Sequence, residues 1–449
     1  MGRAIEATSP KLDRPMTTTM PPQNETTSPL AESEAVRKAA LAHAASRRMT
    51  AVSTNEKNAA LLRIADALES ETDRILAVNG PEVERGRERG LTGSFLDRMV
   101  LTPERIAAIA RDVRTVASLP DPIGAVEDQK TLPNGLQLGK VRVPLGVIGA
   151  IYESRPNVTV DIAAICLKSG NGVILRSGTD AHESSSILAE IIAREAEAAG
   201  LPQGIVQFID STDRDEVGAL LSADRYIDLM VPRGGADLIR RVRDEAKMPV
   251  VAGGIGVCHT FVDETADLQM AVDIVVNAKT VRPSVCNAMD TLLVHSSVAE
   301  AFLPMVAQAL GERGVTLHVD GRSSQHVGTT ATVVPVAEDD WDREWLSLDC
   351  SIKVVDSLDE AMTHIASVEG AGHSEAIVTQ SYEHSERFLR EVDAAAVFVN
   401  ASTYFNDGGQ FGLGCEVGVS TQKMHARGPM GLRELTSYKW IVRGNGHTR

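Results

Sequence analysis

The sequence predicts an α/β fold, a parallel sheet wound by helices on both faces followed by a second α/β unit. Three observations carry that reading. Strand-like apolar runs alternate with helical stretches from Leu145 to Val399, the rhythm of parallel βαβ units. The run Leu145-Gly-Val-Ile-Gly-Ala-Ile151 is continuously apolar, as a strand buried on both faces must be. The chain before it, Leu30 to Leu119, reads as helix.

Residues 1–29 are Thr- and Pro-rich with no apolar periodicity, which predicts a disordered tail without the apolar centre of a signal peptide. From Glu56 to Val78, Leu61, Leu62, Ile64, Ala65, Leu68, Ile75 and Leu76 recur at helical spacing. Pro103 opens another helix at the position proline tolerates best. Asn134-Gly135 marks a hairpin, and Leu136–Val143 alternates as a half-exposed strand.

The βα rhythm then runs through strand Leu145–Ile151, helix Val158–Lys168, strand Gly172–Arg176 and a helix from Asp180 to Ala199 capped by Asp180 or Thr179. Strands Ile205–Ile209, Tyr226–Val231 and Met248–Val251 follow, with helices Arg214–Leu221 and Ala236–Ala246 between them. The second half gives strands at His259–Val262, Thr291–His295, Val315–Val319, Ile352–Val355, Ala376–Val378 and Ala396–Val399. Its helices are Asp267–Ala278, Val298–Leu310, Leu358–Ala366 and Glu383–Glu391, and Trp341–Leu348 has no clear form. A glycine-dense segment, Asp407 to Gly418, precedes a terminal strand around Ser437–Val442. Both that strand and Leu136–Val143 read as edges open to a second copy, so a homo-oligomer is expected.

Composition narrows the function. A formal charge of −16 argues against nucleic acid, which wants a basic face. No apolar run reaches the roughly 18 residues of a membrane helix. Cys166, Cys258, Cys286, Cys350 and Cys415 are odd in number and form no Cys-x-x-Cys pair, which suits a reducing cytoplasm. The histidines have no metal-ligand spacing, so no metal is expected.

One stretch stands out: Arg282-Pro-Ser-Val-Cys286-Asn. Pro283 breaks the preceding helix and puts Cys286 on a short connector. Lys279 and Arg282 nearby would favour the thiolate, the nucleophilic form. A cysteine can equally be a small buried apolar residue. Other candidates lie at the carboxyl ends of the first strands, where such sheets bind ligands. Arg176-Ser177-Gly178 offers a guanidinium to a phosphate or ribose, or is an ordinary surface arginine. Pro232-Arg233-Gly234-Gly235 opens a helix whose N–H groups would hold an anion, or is a plain glycine turn. Arg155 would grip a carboxylate or phosphate, and Asn157 would donate to an oxyanion or cap the next helix. The usual Gly-x-Gly-x-x-Gly dinucleotide fingerprint is missing after the first strand.

Several long motifs occur together and in order. They are the Cys286 stretch, Tyr152-Glu-Ser-Arg-Pro-Asn-Val-Thr-Val-Asp161, Val231-Pro-Arg-Gly-Gly235, Gly372-His-Ser-Glu-Ala-Ile-Val-Thr379, and Asp407 through Arg443 with Ser420-Thr-Gln-Lys-Met-His-Ala-Arg-Gly-Pro-Met-Gly431. In these motifs, from about residue 31 onward, the chain resembles the γ-glutamyl phosphate reductase (glutamate-5-semialdehyde dehydrogenase) family and, more distantly, the aldehyde dehydrogenase superfamily.

The resemblance implies an aldehyde-dehydrogenase-like fold: a Rossmann-like cofactor domain over 30–258, with 121–144 lent to an oligomerisation hairpin, a catalytic domain over 259–430, and a C-terminal oligomerisation strand over 431–449. It implies NADPH-dependent reduction of L-glutamyl 5-phosphate to glutamate 5-semialdehyde through a thioester on Cys286, the second step of proline synthesis from glutamate. Asn157 would assist. Arg176, Ser177, Gly178, Pro232, Arg233, Gly234 and Gly235 would hold NADPH/NADP, with Arg176 at the 2′-phosphate. Arg155, Arg282, His373 and Arg427 would hold substrate, and glutamate 5-kinase is the expected partner upstream. Two positions depart from the family pattern: Ala252, where aldehyde dehydrogenases carry a water-activating glutamate, and Tyr404, where the family has arginine.

Overall fold

The computed structural model describes residues 33–449 except 252, 254 and 255; the tail reading for residues 1–29 and the Ala252 departure therefore lie outside the described residues. Among the described residues five helices come first: Glu34–Met49, Thr54–Ser70, Thr72–Glu88, Gly93–Met99 and Pro103–Ser118. The stripe read as one helix over Glu56–Val78 is two, because the chain breaks at Glu71. Leu61, Ile64 and Leu68 of the second helix pack with Ile106, Ile109 and Val113 of the fifth. Burying side chains of this size contributes about 1.5–3 kcal/mol each.

The first parallel sheet is built from β3 (Val147–Tyr152), β4 (Gly172–Ser177), β5 (Val206–Phe208) and β6 (Leu229–Arg233), in the order β5-β4-β3-β6. Alternate residues feed two cores: Ile148, Ala150, Val173, Leu175 and Val231 point one way, Val147, Ile151, Ile174 and Met230 the other. This is why the sequence reads as unbroken apolar runs rather than alternation. The strand expected at Tyr226–Val231 starts later, since Asp228 turns back to accept from the Val147 N–H at 2.8 Å. The strand expected at Met248–Val251 is a single bridge from Val250 to Met230.

Helix Pro156–Lys168, which carries Asn157, is buried almost throughout. Lys168 at its end is fully buried and donates to Ala117 O (2.8 Å) and Asn58 Oδ1 (2.5 Å), fixing the helix against the N-terminal layer. Helix His182–Ala198 does not take its cap from Asp180 or Thr179. The buried carboxylate of Glu82, from the third helix, accepts from Glu183 N (2.7 Å) and Ser184 N (3.1 Å) instead. A tertiary neighbour thus satisfies the helix end.

The second parallel sheet has seven strands: β7 (His259–Val262), β8 (Thr291–His295), β9 (Thr316–Val319), β10 (Thr332–Pro335), β11 (Asp349–Val355), β12 (Ser374–Val378) and β13 (Ala396–Val399). Their order is β10-β9-β11-β8-β7-β12-β13. Val262, Leu292 and Val294 face helices Leu268–Thr280 and Ser296–Gly311, while Phe261, Leu293 and Ile377 face helices Leu358–Ser367 and Tyr382–Glu391. β10 has no counterpart in the sequence reading, because Thr332–Pro335 is short and half exposed.

β14 (Val419–Ser420) and β15 (Gly428–Pro429) pair as a short ladder, and β1 (Val126–Thr131), β2 (Gln137–Pro144) and β16 (Thr436–Arg443) form a separate antiparallel flap. Gly135, with φ of 89°, closes the turn between β1 and β2. The expectation that Leu136–Val143 is an open edge is corrected here: β2 is the central strand, paired on both sides, and β1 and β16 are the edges.

Candidate active site

Cys286 sits, partly exposed, on the loop between helix Leu268–Thr280 and β8. The loop is pinned from several directions. Asn287 Nδ2 donates to the carbonyls of Tyr404 and Asn406, both at 3.1 Å, and Thr403 Oγ1 donates to Asn287 O at 2.8 Å. Cys258 Sγ donates to Cys286 O at 3.1 Å, and Arg98 reaches Ser284 O at 3.4 Å. Tyr404 serves here through its backbone, so the tyrosine-for-arginine departure leaves this anchor intact.

Lys279 does not activate the thiol as its sequence position suggested. It is fully buried, donates to Met289 O at 3.0 Å, and answers Asp290. Burial pushes the Cys286 thiol up to about 11; Arg233 pulls it down, while Glu344 and Glu416 push it further up.

Four guanidiniums gather around this cysteine: Arg98, Arg155, Arg233 and Arg282. Burial, then repulsion from Arg98 and Arg233, pulls Arg155 down to about 10, with Cys286 and Arg282 also felt. Arg98 is lowered by burial and by Arg282. Among the described residues none of the four has a carboxylate within ion-pair distance. Unanswered positive charge of this kind is a site for an anion. Arg427 is different: its Nη1 lies 2.7 Å from Asp393 Oδ1, and Asp393 also takes Lys423. The structure does not bring Arg427 to the cysteine as a free charge.

Asn157 is half-exposed in the first turn of its helix, and its amide donates to Asp161 Oδ2 at 2.9 Å. That bond fixes the amide and leaves its second N–H for another acceptor. Asp161 is pushed up to about 7 by burial, against the pull of Asn157 and with Asp112 adding repulsion. His373 is buried beside the same loop: its Nδ1 meets Ser374 Oγ at 2.8 Å and its Nε2 has no partner among the described residues. Burial lowers its pKa, against the pull of Glu344 and Glu375. Glu344 is pushed up to about 7 by burial and then by Asp290, with His373 and Arg98 pulling back.

The carboxyl end of the first sheet carries the remaining candidates. Arg176 is buried, with Nη1 on Ser177 O (2.9 Å), Nη2 on Thr212 O (3.3 Å) and Nε without a partner among the described residues. Burial, then Arg241 and Arg214, lowers its pKa, with Glu153 pulling back, and Arg241 is itself paired with Glu245 at 3.1 Å. An orphaned buried N–H and gathered positive charge fit the phosphate of a dinucleotide. Ser177 Oγ meets His182 Nδ1 at 3.3 Å. At Gly234-Gly235 the expected anion site already holds a carboxylate: Glu153 Oε2 accepts from Gly235 N at 2.9 Å. Arg233 itself leaves that turn and lies against Gly418.

The sequence reading missed Arg98, Asp161, Glu344 and Glu416. Asp161 was in plain view, four residues past Asn157 and on the same helical face. Arg98 and Glu344 reach the site from distant segments, and nothing local in the sequence marks them.

The pattern of the aldehyde dehydrogenase family matches residues 10–332. The chain is 55% identical over 92% of its length to a γ-glutamyl phosphate reductase of Dehalococcoides mccartyi, covering 97% of that protein. It is 52% identical over 91% of its length to that of Salmonella newport, covering 98%. A crystal structure of γ-glutamyl phosphate reductase from Thermotoga maritima superposes with a TM-score of 0.89 at 46% identity, covering 93% of this chain and all of that one. On this fold, this cysteine loop and these likenesses together, the chain belongs to the γ-glutamyl phosphate reductases of the aldehyde dehydrogenase family.

Proposed function

We propose that the chain reduces L-glutamyl 5-phosphate to L-glutamate 5-semialdehyde and phosphate with NADPH, through a thioester on Cys286. The observation that carries this is a partly exposed cysteine with four arginines gathered around it that, among the described residues, have no carboxylate partner. An acyl phosphate with its own α-carboxylate brings the two anions such a ring needs.

The Cys286 sulfur attacks the acyl carbon and phosphate leaves with the electron pair of its C–O bond. Arg98, Arg155 and Arg282 bind the substrate's anionic groups. The free N–H of Asn157, held by Asp161, supports the oxygen of the thioester as negative charge gathers on it. When bound, NADPH supplies the hydride. Return of the pair to sulfur then breaks the C–S bond and frees the aldehyde. Arg176, with Arg214 and Arg241, would hold the cofactor's 2′-phosphate, beside Ser177 and Gly178. His373, buried, shapes the wall behind the cysteine.

In this reading the enzyme works in the cytoplasm, where its thiols stay reduced; no helix among the described residues is long and apolar enough to cross a membrane. A glutamate 5-kinase supplies the unstable acyl phosphate. The flap edge β16 exposes Tyr438, Trp440 and Val442, with Lys140 over both aromatic rings, and takes a second copy of the chain. Trp440→Glu should lower the molar mass seen by light scattering; an unchanged mass defeats that assignment.

The test of the activity is a coupled assay. With glutamate, ATP and an active glutamate kinase, NADPH should be consumed, and Cys286→Ala should reduce turnover on the order of 10⁴-fold or more. No consumption by the wild-type chain with a working kinase overturns the proposal.

A further inference from the structure

We propose that Arg233 is a catalytic residue, its guanidinium serving first the Cys286 thiolate and then the phosphate that departs from the acyl carbon. The inference rests on the acyl-phosphate reading above and deepens it. Arg233 stands in a segment whose sequence suggested only a cofactor turn.

Arg233 is the last residue of β6, in register with Tyr152 of β3. The loop after Tyr152 carries Arg155 and Asn157. From there the guanidinium crosses to the far half of the chain and rests on Gly418. A Cβ built on Gly418 would stand 2.5 Å from its Nη1 and 3.3 Å from its Cζ. Gly418, with φ of 146°, is one position where a side chain would both strain the backbone and evict the arginine. The guanidinium is half-buried, and among the described residues it makes no hydrogen bond and no ion pair.

Its charge is felt by groups from three neighbouring segments: Cys286 on its loop, Asp161 and Arg155 at the start of helix Pro156–Lys168, and Glu416 in the glycine-dense segment. Glu153 lies beside the adjoining Gly234. Glu344 also faces Cys286 and opposes its ionisation. A cation seated against backbone and lacking a partner serves an anion that comes and goes.

The chemistry supplies two such anions in sequence. As the S–C bond forms, the acyl C–O bond to phosphate breaks and its electron pair leaves on the phosphate oxygen. No electrons are gained or lost overall in this step. Negative charge moves from sulfur to phosphate across one acyl carbon, and a single fixed guanidinium can answer both ends of that path. The cofactor turn does not need it, since Gly235 N–H is already engaged by Glu153.

The test uses the full chain as wild type, Arg233→Gln and Arg233→Lys. One readout is the pH profile of iodoacetamide alkylation at Cys286, identified by its loss in Cys286→Ala. The other is the reverse reaction, with glutamate 5-semialdehyde, NADP and inorganic phosphate, from which KM for phosphate is taken. In Arg233→Gln the alkylation midpoint should rise by about one pH unit, slowing alkylation about tenfold at neutral pH. KM for phosphate should rise about tenfold or more, as for loss of a charge-assisted bond. KM for NADP should hold, and Arg233→Lys should recover part of both losses. If Arg233→Gln does not fold, the lysine variant carries the same test with smaller shifts. An unchanged alkylation profile or an unchanged phosphate KM overturns the shared role, as does a change confined to NADP. Absence of phosphate-dependent NADP reduction in the wild type is the separate failure of the acyl-phosphate reading, visible before any variant is compared.

Discussion

Arg114, on the outer helical layer, lies 2.7 Å from both Asp66 and Glu69, and Arg74 holds Glu71 and Glu190 in the same way. Arg155, Arg233 and Arg282, around Cys286, have no carboxylate within that reach among the described residues. In a chain of formal charge −16, carboxylates are plentiful and pairing is the easy outcome. The layer's arginines follow supply. The arginines at the cysteine do not: burial first, and then repulsion from neighbouring guanidiniums, lowers the pKa of Arg155 and Arg98, so holding them there is costly. Such a cost persists only where a ligand relieves it.

That contrast can be broken at either end. The largest effect belongs to Arg155→Gln, which should lower kcat/KM for the acyl phosphate roughly 10- to 150-fold, the worth of a charge-assisted bond. KM for NADPH should stay in place; unaltered kcat/KM would erase the distinction between the two sets of arginines.

The next effect is on stability and its pH dependence. Asp161, held up near 7 by burial, keeps its proton in the folded chain while the unfolded chain has lost it from about pH 4 upward. Its contribution therefore falls as pH rises from about 4 to 7 and is flat above. Asp161→Asn removes that fall, so its urea midpoint should gain on the wild type between pH 5 and pH 8. A constant gap would mean that Asp161 is already ionised.

The smallest effect is Arg114→Gln, a surface pair worth within about 1 kcal/mol, with turnover unmoved. A kinetic defect there would mean that the paired arginines also serve the site.

The elements and the loop of Cys286 were legible because their signals are local. Apolar runs marked β3, β4 and β8, Pro283 marked the turn, and Asn157 and Arg155 stood together in one motif. What escaped depends on distant partners. Glu82 caps a helix about a hundred residues away, so the local candidates Asp180 and Thr179 misled. Lys279 is seven residues from Cys286 in sequence but spends its charge on Asp290 and Met289 O. Arg98 and Glu344 meet the cysteine only through tertiary packing. Leu136–Val143 read as an edge because its second partner, Thr436–Arg443, is distant in sequence.

That last pairing has a consequence for how the molecule is made. Arg142 Nη1 meets Thr436 Oγ1 across 294 positions of sequence, and β2 gains its second neighbour only when Thr436–Arg443 has been made. Until then a chain emerging from the ribosome carries an unsatisfied ribbon of backbone amides and carbonyls. The flap cannot close before Thr436–Arg443 is made, and a protein cut short before Thr436 would keep that ribbon bare.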